Sequence, residues 1–128
     1  MKYLLDTHAF IWLDNDPGHL SPTVRTVCQD TAHTLFVSVA SVWEMQIKIQ
    51  LGRLTLPVSL TQMVENQRQI NHIDLLSISL AHVVGLASLP DHHKDPFDRM
   101  LIAQAQVENL TLISNDPTIA RYPVQVVW

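Results

Sequence analysis

The chain has 128 residues, of which 47% are hydrophobic and 16% charged, and its formal net charge is -4. A chain of this length is typical of a single domain, and we expect residues 1–128 to fold as one. The charged fraction lies below the usual quarter, which indicates a large buried fraction or a partner. The negative charge and the absence of a basic run count against a basic nucleic-acid footprint, so bound phosphate would need another source of positive charge.

Three features bear on the compartment in which the chain works. No run of about 18 apolar residues is present, so no membrane span is expected. Asp6 interrupts the apolar stretch near the start, which argues against a secretory signal. Cys28 is the only cysteine, so no internal disulfide can form and a reducing cytoplasm is the expected location. We interpret Cys28 as a small core residue.

Short apolar runs alternate with helix patterns along the chain. In chain order they predict a strand at 3–5, helices at 7–13 and 22–29, a strand at 34–37, helices at 39–50 and 60–70, a strand at 73–75, helices at 79–86 and 96–107, and strands at 110–113 and 124–127. Residues 14–18 break the first helix, Ser21 and Pro22 begin the second, and Gly52 ends the third. A loop containing His92 and His93 separates the last two helices.

Strands that alternate with helices favour a parallel sheet with right-handed crossovers. The strands are continuous apolar runs, which is typical of a sheet covered on both faces. We therefore expect an α/β fold, a three-layer sandwich with a short parallel sheet flanked by helices. Ligands of such sheets bind outside the carboxyl ends of the strands.

Four acidic residues lie where such a ligand would bind. Asp6 directly follows the first predicted strand, and Asp116 follows the strand at 110–113. Asp98 lies in the first turn of its helix and heads an apolar stripe formed by residues 101, 102 and 105. Glu44 lies within the most apolar helix. Two strand ends and two buried helices could bring these carboxylates to one rim.

Each acid also has a structural interpretation. Ser41 and Glu44 have the spacing of a capping box. Asp98 would complement the dipole of its helix, and Asp116 would cap the segment that follows it. Asp6 would cap the helix that begins at residue 7, although no basic residue lies nearby and a buried unpaired charge is costly. Taken singly, these alternatives stay open.

Taken together, the four acids point to a divalent cation. Clustered carboxylates raise one another's pKa unless a cation lies between them. Hard ions such as Mg²⁺ take oxygen ligands, commonly one or two carboxylates plus water and substrate phosphate. Such an ion would also neutralise phosphate on an acidic protein.

The four acids lie in the segments LLDTHAFIW at 4–12, SVASVWEMQIKIQLGRL at 38–54, DPFDRMLIAQA at 95–105 and LISND at 112–116. In this order and spacing the chain resembles the PIN-domain nucleases, and specifically the VapC-like toxins of bacterial toxin–antitoxin pairs. The resemblance implies a Mg²⁺- or Mn²⁺-dependent endoribonuclease that hydrolyses RNA phosphodiester bonds. It also implies a homodimer that a cognate antitoxin holds inactive.

The resemblance assigns catalysis and metal binding to Asp6, Glu44, Asp98 and Asp116, and it places Ser114 at a small hydroxyl position beside them. On this basis we hypothesise that Asp6 and Asp98 are the chief metal ligands. Glu44 would complete the shell or orient the attacking water, and Asp116 would act through water.

Other polar and aromatic residues near these segments have competing interpretations. Lys48 lies four residues after Glu44 and would either form an ion pair with it or contact phosphate. For Arg99 a solvent-side role or a structural pair is favoured. Trp12 and Trp43 are interpreted as core or interface residues rather than as platforms for base stacking.

Two rival functions remain. A phosphatase-like hydrolase would use Asp6 as a covalent nucleophile, but residue 8 is a histidine where such phosphatases carry a second aspartate. A catalytically silent binding module would keep the fold and bind RNA or a protein partner without cleavage. The complete set of four acids argues against the silent module.

Overall fold

The computed structural model describes residues 1–92 and 95–128. The strands form one parallel sheet in the order β3-β2-β1-β4-β5. They are β1 (Lys2–Leu5), β2 (Thr34–Ser38), β3 (Ile73–Leu76), β4 (Thr111–Ile113) and β5 (Val126–Val127). The helices are α1 (Thr7–Asn15), α2 (Pro22–Gln29), α3 (Val39–Gln50), α4 (Leu60–Ile70), α5 (Leu80–Gly85) and α6 (Pro96–Glu108).

Apolar side chains cover both faces of the sheet. Successive residues of a strand point to opposite faces, so Leu4 and Leu5 on the central strand β1 enter different cores, and both are fully buried. Leu5 packs in the core beneath α1, α2 and α4, whereas Leu4 packs in the core beneath α6. This arrangement confirms the predicted three-layer α/β sandwich.

The order of the strands fixes where a ligand can enter the sheet. The chain proceeds from β1 outward to β2 and β3, and then crosses to the other side of β1 to form β4. The connections therefore diverge between β1 and β4, which creates a crevice at the carboxyl ends of these two strands. Asp6 follows β1 at this crevice, and Ser114 and Asp116 follow β4.

Every predicted strand and helix is present, and the differences lie at their ends. The helix ends within the predicted break at 14–18 but two residues later than predicted, because α1 continues to Asn15 and ends where the Asp16 N–H donates to the Trp12 carbonyl. The last strand is shorter than predicted. The segment 119–121 forms an unpredicted 3₁₀ turn. His93, in the predicted loop, lies outside the described residues.

No helix in the described part of the chain combines the length and the apolar character needed to cross a membrane.

Gly52 ends α3 as the sequence predicts. Its φ of 72° lies in the left-handed region. The Gly52 N–H donates to the Ile49 carbonyl and the Arg53 N–H donates to the Lys48 carbonyl, at 3.1 and 2.8 Å, which is the Schellman arrangement. These bonds satisfy carbonyls that the end of the helix would otherwise leave without donors.

We expect Gly52→Ala to lower the free energy of unfolding by about 1 kcal/mol, because an L side chain is strained at this φ. Nothing lies within 4 Å of a Cβ built at Gly52, so the cost is conformational and not steric. Gly18→Ala is the matched control, since its Cβ meets only ordinary contact with Asp16 at 3.7 Å and its φ is not positive. Urea unfolding of both variants tests this, and equal stability of the two would contradict it.

Candidate active site

Asp6 joins the sheet to α1 at the crevice between β1 and β4. Its N–H donates to the Ile113 carbonyl at 3.0 Å, and its Oδ1 accepts from the Ala9 N–H at 2.8 Å. Asp6 therefore caps α1, which was one of its two predicted roles. A carboxylate has two oxygens with several lone pairs, so the cap leaves acceptor capacity for another ligand. The residue is only 6% exposed.

Ser114 links the two acids that follow β1 and β4. The Ser114 side chain hydrogen-bonds to the Asp6 carboxylate, and its Oγ accepts from the Asp116 N–H at 3.1 Å. Asp116 in turn accepts at Oδ1 from the Thr118 N–H at 2.9 Å, which closes a local turn. The buried hydroxyl of Ser114 thus couples the two strand ends.

Glu44 is held from two sides by partners that the structure brings together. The Thr7 hydroxyl donates to Glu44 Oε1 at 2.7 Å, and Lys48 Nζ lies 2.9 Å from Oε2. Thr7 Oγ1 also lies 2.9 Å from Ser41 Oγ. Thr7 and Ser41 are buried, and Glu44 is 8% exposed. Of the two predicted roles of Lys48, the ion pair with Glu44 is the one observed.

The capping-box interpretation of Ser41 and Glu44 is wrong. Ser38 is the N-cap of α3, and its Oγ accepts from the Ala40 N–H at 3.0 Å. Ser41 lies inside the helix, where its hydroxyl contacts Thr7 of α1. The spacing of Ser41 and Glu44 therefore reflects one buried helix face and not a helix end.

Asp98 lies in the first turn of α6, where Asp95 caps the helix by accepting from the Phe97 and Asp98 N–H groups at 2.8 and 3.2 Å. Burial raises the pKa of Asp98 to about 7. The negative charges of Asp95, Glu44, Asp6 and Asp116 add to this rise.

Asp6 has a raised pKa for the same principal reason. Burial raises the pKa of the Asp6 carboxyl, and the charge of Asp116 adds to the rise. Hydrogen bonds from Ser114 and Ala9 and the charge of His8 oppose it. The four predicted acids thus lie close enough at one edge of the sheet to interact electrostatically. The negative charges of Glu44, Asp6 and Asp116 all raise the pKa of Asp98.

The donor set fits a hard divalent cation, on two grounds. All four side chains offer carboxylate oxygen, which Mg²⁺ and Mn²⁺ prefer. A cation would also offset the burial and the repulsion that together raise the pKa of Asp98. Within residues 1–92 and 95–128, no three His, Cys, Asp or Glu side chains are placed to hold one ion jointly. Mg²⁺ commonly takes only one or two direct carboxylates and completes its shell with water.

Other residues singled out in the sequence have structural roles or unexpected exposure. Arg99 donates to the Pro90 carbonyl at 2.8 Å, in line with the structural role favoured for it. Burial raises the pKa of the Cys28 thiol to about 11, as befits a core residue. Trp12 packs against the core. Trp43 does not, because its side chain is 58% exposed.

Comparison with known proteins identifies the family. The family model described as PIN domain matches residues 3–125. The chain therefore belongs to the PIN domain family. PIN domains are generally nucleases, and they generally use a divalent metal.

Solved structures share the fold at low sequence identity. VapBC2 from Rickettsia felis bound to a DNA fragment from its promoter has a TM-score of 0.75 and 16% identity, covering 99% of this chain and 98% of that chain. VapBC-1 from nontypeable Haemophilus influenzae has a TM-score of 0.63 and 17% identity, covering 99% of this chain and 97% of that chain. FitAcB from Neisseria gonorrhoeae has a TM-score of 0.62 and 18% identity, covering 98% of this chain and 96% of that chain. Among curated proteins, no match was found.

We expect Thr7→Val to lower the free energy of unfolding by about 1.5–3 kcal/mol, because the buried Glu44 carboxylate loses a charge-assisted hydrogen bond. Thr7→Ser is the matched control, since it keeps the hydroxyl and loses only a methyl group worth about 0.8 kcal/mol. Urea unfolding at neutral pH measures both losses. If the serine variant loses as much stability as the valine variant, the hydroxyl does not hold Glu44.

The raised pKa of Asp98 makes stability depend on pH. Because the pKa is about 7 in the folded state, against an ordinary value of 3.8, the folded form holds a proton that the unfolded chain has released. The stabilisation is complete below about pH 4 and is lost as the pH rises through about 7. Solvent screening at this incompletely buried group reduces the expected loss to about 1–2 kcal/mol.

Urea unfolding in EDTA at about pH 5 and about pH 7.5 measures this dependence. Asp98→Asn should reduce the loss between the two pH values by about 1–2 kcal/mol. The remaining dependence includes Asp6, whose pKa is raised as well. An unchanged pH dependence in Asp98→Asn would contradict the assignment.

Proposed function

We propose that residues 1–128 act as one PIN nuclease domain, a divalent-metal-dependent endoribonuclease that hydrolyses RNA phosphodiester bonds. The observation that carries this proposal is the electrostatic convergence on Asp98. Its pKa rises to about 7 through burial and through the charges of acids that include Glu44, Asp6 and Asp116. Such a group of carboxylates, two of them buried and two partly buried, is destabilising by itself at the crevice of a parallel sheet, and it would become favourable if a cation bound.

Asp6 and Asp98 are the side chains best suited to hold the ion, Mg²⁺ or Mn²⁺. Both are acids of raised pKa, which a bound cation would return to the charged form. At such a site a divalent ion supplies the positive charge that neutralises a phosphodiester and acidifies a water molecule. The positive charge of the ion would compensate for the net charge of -4, which leaves the protein itself poor in phosphate-binding cations.

The remaining residues act by orientation. Glu44, fixed by Thr7 and Lys48, would accept a hydrogen bond from the attacking water and align it with the phosphorus. Asp116 would act through water at the rim of the site. Ser114, which bonds to both strand-end acids, would keep Asp6 in the orientation that the ligand requires.

We further propose that the chain is the toxin of a toxin–antitoxin pair and acts in the cytoplasm as a homodimer that a cognate antitoxin inhibits. The support is the match of residues 3–125 to the PIN domain together with neighbours that are VapBC and FitAB complexes. The four-segment resemblance to VapC-like toxins points in the same direction. The alternative is a catalytically silent PIN-like module that binds RNA or a protein.

We expect Asp6→Asn and Asp98→Asn each to lower RNA cleavage by at least about 100-fold while the fold is kept. Each substitution removes one ligand charge and preserves side-chain size. The assay incubates a mixed RNA pool with Mn²⁺, with Mg²⁺ or with EDTA, and circular dichroism verifies folding. Asp74→Asn is the matched control, because Asp74 is an exposed acid in the edge strand β3.

Cleavage by the unchanged chain and by Asp74→Asn only when metal is present supports the nuclease. Cleavage that survives in both Asp6→Asn and Asp98→Asn would end the proposal. Metal-dependent stabilisation of the unchanged chain without any cleavage of RNA would favour the silent module instead.

A further inference from the structure

Lys48 directly contacts one of the four acids. Its Nζ lies 2.9 Å from Oε2 of Glu44, which precedes it by one turn of α3. A glutamate that precedes a lysine by four residues is the favourable order for such a pair on a helix. The Lys48 side chain is 34% exposed and Glu44 is buried, so the pair is only partly screened by solvent and salt.

The two oxygens of the Glu44 carboxylate have different partners. Oε1 accepts from the Thr7 hydroxyl at 2.7 Å, and Oε2 lies against the Lys48 ammonium. Thr7 belongs to α1 and Lys48 to α3, so two helices together fix the orientation of the carboxylate. Turning Glu44 toward another ligand would break a hydrogen bond or an ion pair at a buried position, which is costly.

The charge of Lys48 affects where a divalent ion would bind. An ion bonded directly to Glu44 would lie beside the ammonium, and positive charges at such close range repel each other strongly. Glu44 also interacts with the other acids, because its negative charge contributes to the raised pKa of Asp98. Glu44 therefore belongs to the group of acids and is paired with an internal cation at the same time.

The placement of the acids agrees with a Glu44 that does not bind the ion directly. Among residues 1–92 and 95–128, no three His, Cys, Asp or Glu side chains are placed to hold one ion jointly. Mg²⁺ commonly bonds to one or two carboxylates and fills the rest of its shell with water. Asp6 and Asp98, the proposed ligands, meet that number, which leaves Glu44 to act through water.

We propose that the Lys48 ammonium serves as a built-in cation of this acid group, which keeps Glu44 from binding metal directly and limits the site to one divalent ion. The inference rests on the proposed nuclease function and defines how many ions that function uses. Lysine suits the role because its ammonium is a compact point charge on a flexible stem. Where a second ion would bind, the chain supplies a positive charge of its own.

A set of substitutions separates this role from that of an ordinary ion pair on a helix. Lys48→Met and Lys48→Gln both remove the charge, whereas Lys48→Arg keeps it. Arg68→Met is the matched control, because Arg68 forms an exposed ion pair with Glu65 at 3.0 Å on α4 and its loss changes the net charge equally. Lys48→Met combined with Glu44→Gln removes both members of the pair. Circular dichroism verifies that each variant folds.

The ions bound are counted with Mn²⁺ as the probe, on the full chain without RNA and at constant neutral pH. Isothermal titration calorimetry gives the number of ions, and the electron paramagnetic resonance of free Mn²⁺ checks it. The unchanged chain, Lys48→Arg and Arg68→Met should each bind one ion. Lys48→Met and Lys48→Gln should each bind two, because the Glu44 carboxylate is released. The double variant should return to one, because that carboxylate is gone.

Four results would each overturn the proposal. Two ions in the unchanged chain or in Lys48→Arg would show that the positive charge does not exclude the second ion. One ion in a folded Lys48→Met or Lys48→Gln would show that no second position is released. Two ions in Arg68→Met would make the effect one of net charge alone. Two ions in the double variant would remove Glu44 from the account.

The failure of this proposal and that of the proposed nuclease are distinguishable. One Mn²⁺ ion that is bound by the unchanged chain and lost in Asp6→Asn supports the proposed metal site, independently of the count in the Lys48 variants. Two ions in the unchanged chain, together with metal-dependent cleavage of RNA, would remove the role of Lys48 and leave the nuclease intact. No Mn²⁺ bound by the unchanged chain would overturn both.

Discussion

The partial or full burial of four carboxylates that repel one another is the constraint on which the rest of this molecule depends. Asp6 and Asp98 have raised pKa values because burial disfavours their charged forms and neighbouring acids add to the effect. A folded chain gains nothing in stability from such an arrangement, since hydrophobic groups of similar size would pack there at lower cost. The proposed cation site would account for this arrangement, because a bound divalent ion would offset the cost of burying the acids close to one another.

The surrounding structure limits this strain by supplying donors. The Ala9 N–H and the Ser114 hydroxyl bond to Asp6, and the Thr7 hydroxyl and Lys48 bond to Glu44. Most of these donors come from the elements that already position the acids, namely the start of α1 and the end of β4. The strand order of the sheet thus determines both where the acids converge and which groups stabilise them.

Much of the fold and the positions of the acids were predictable from the sequence. Hydrophobic periodicity and the position of a residue directly after a strand can both be read from short stretches of sequence. Asp6 and Asp116 follow apolar strands, and a parallel sheet brings such ends to one edge. The capping-box alternative for Ser41 and Glu44 failed for a physical reason. Residues three apart share a face anywhere on a helix, so the capping-box pattern is not specific to a helix end. The exposure of Trp43 was not predictable, since α3 is apolar nearly all round and only the neighbouring helices determine which part of it is covered.

Asp6 both caps a helix and belongs to the group of acids, and this combination has a consequence for genetic experiments. Its carboxylate caps α1 as well as facing the other acids, so an alanine allele would forfeit about 1 kcal/mol of helix stability along with the charge. In a cell, a loss of that size lowers the abundance of a marginally stable protein several-fold through proteolysis. Loss of the proposed activity in an alanine allele would then report degradation as much as the loss of a catalytic group. Asparagine caps helices as well as aspartate does, so an asparagine allele separates the two causes.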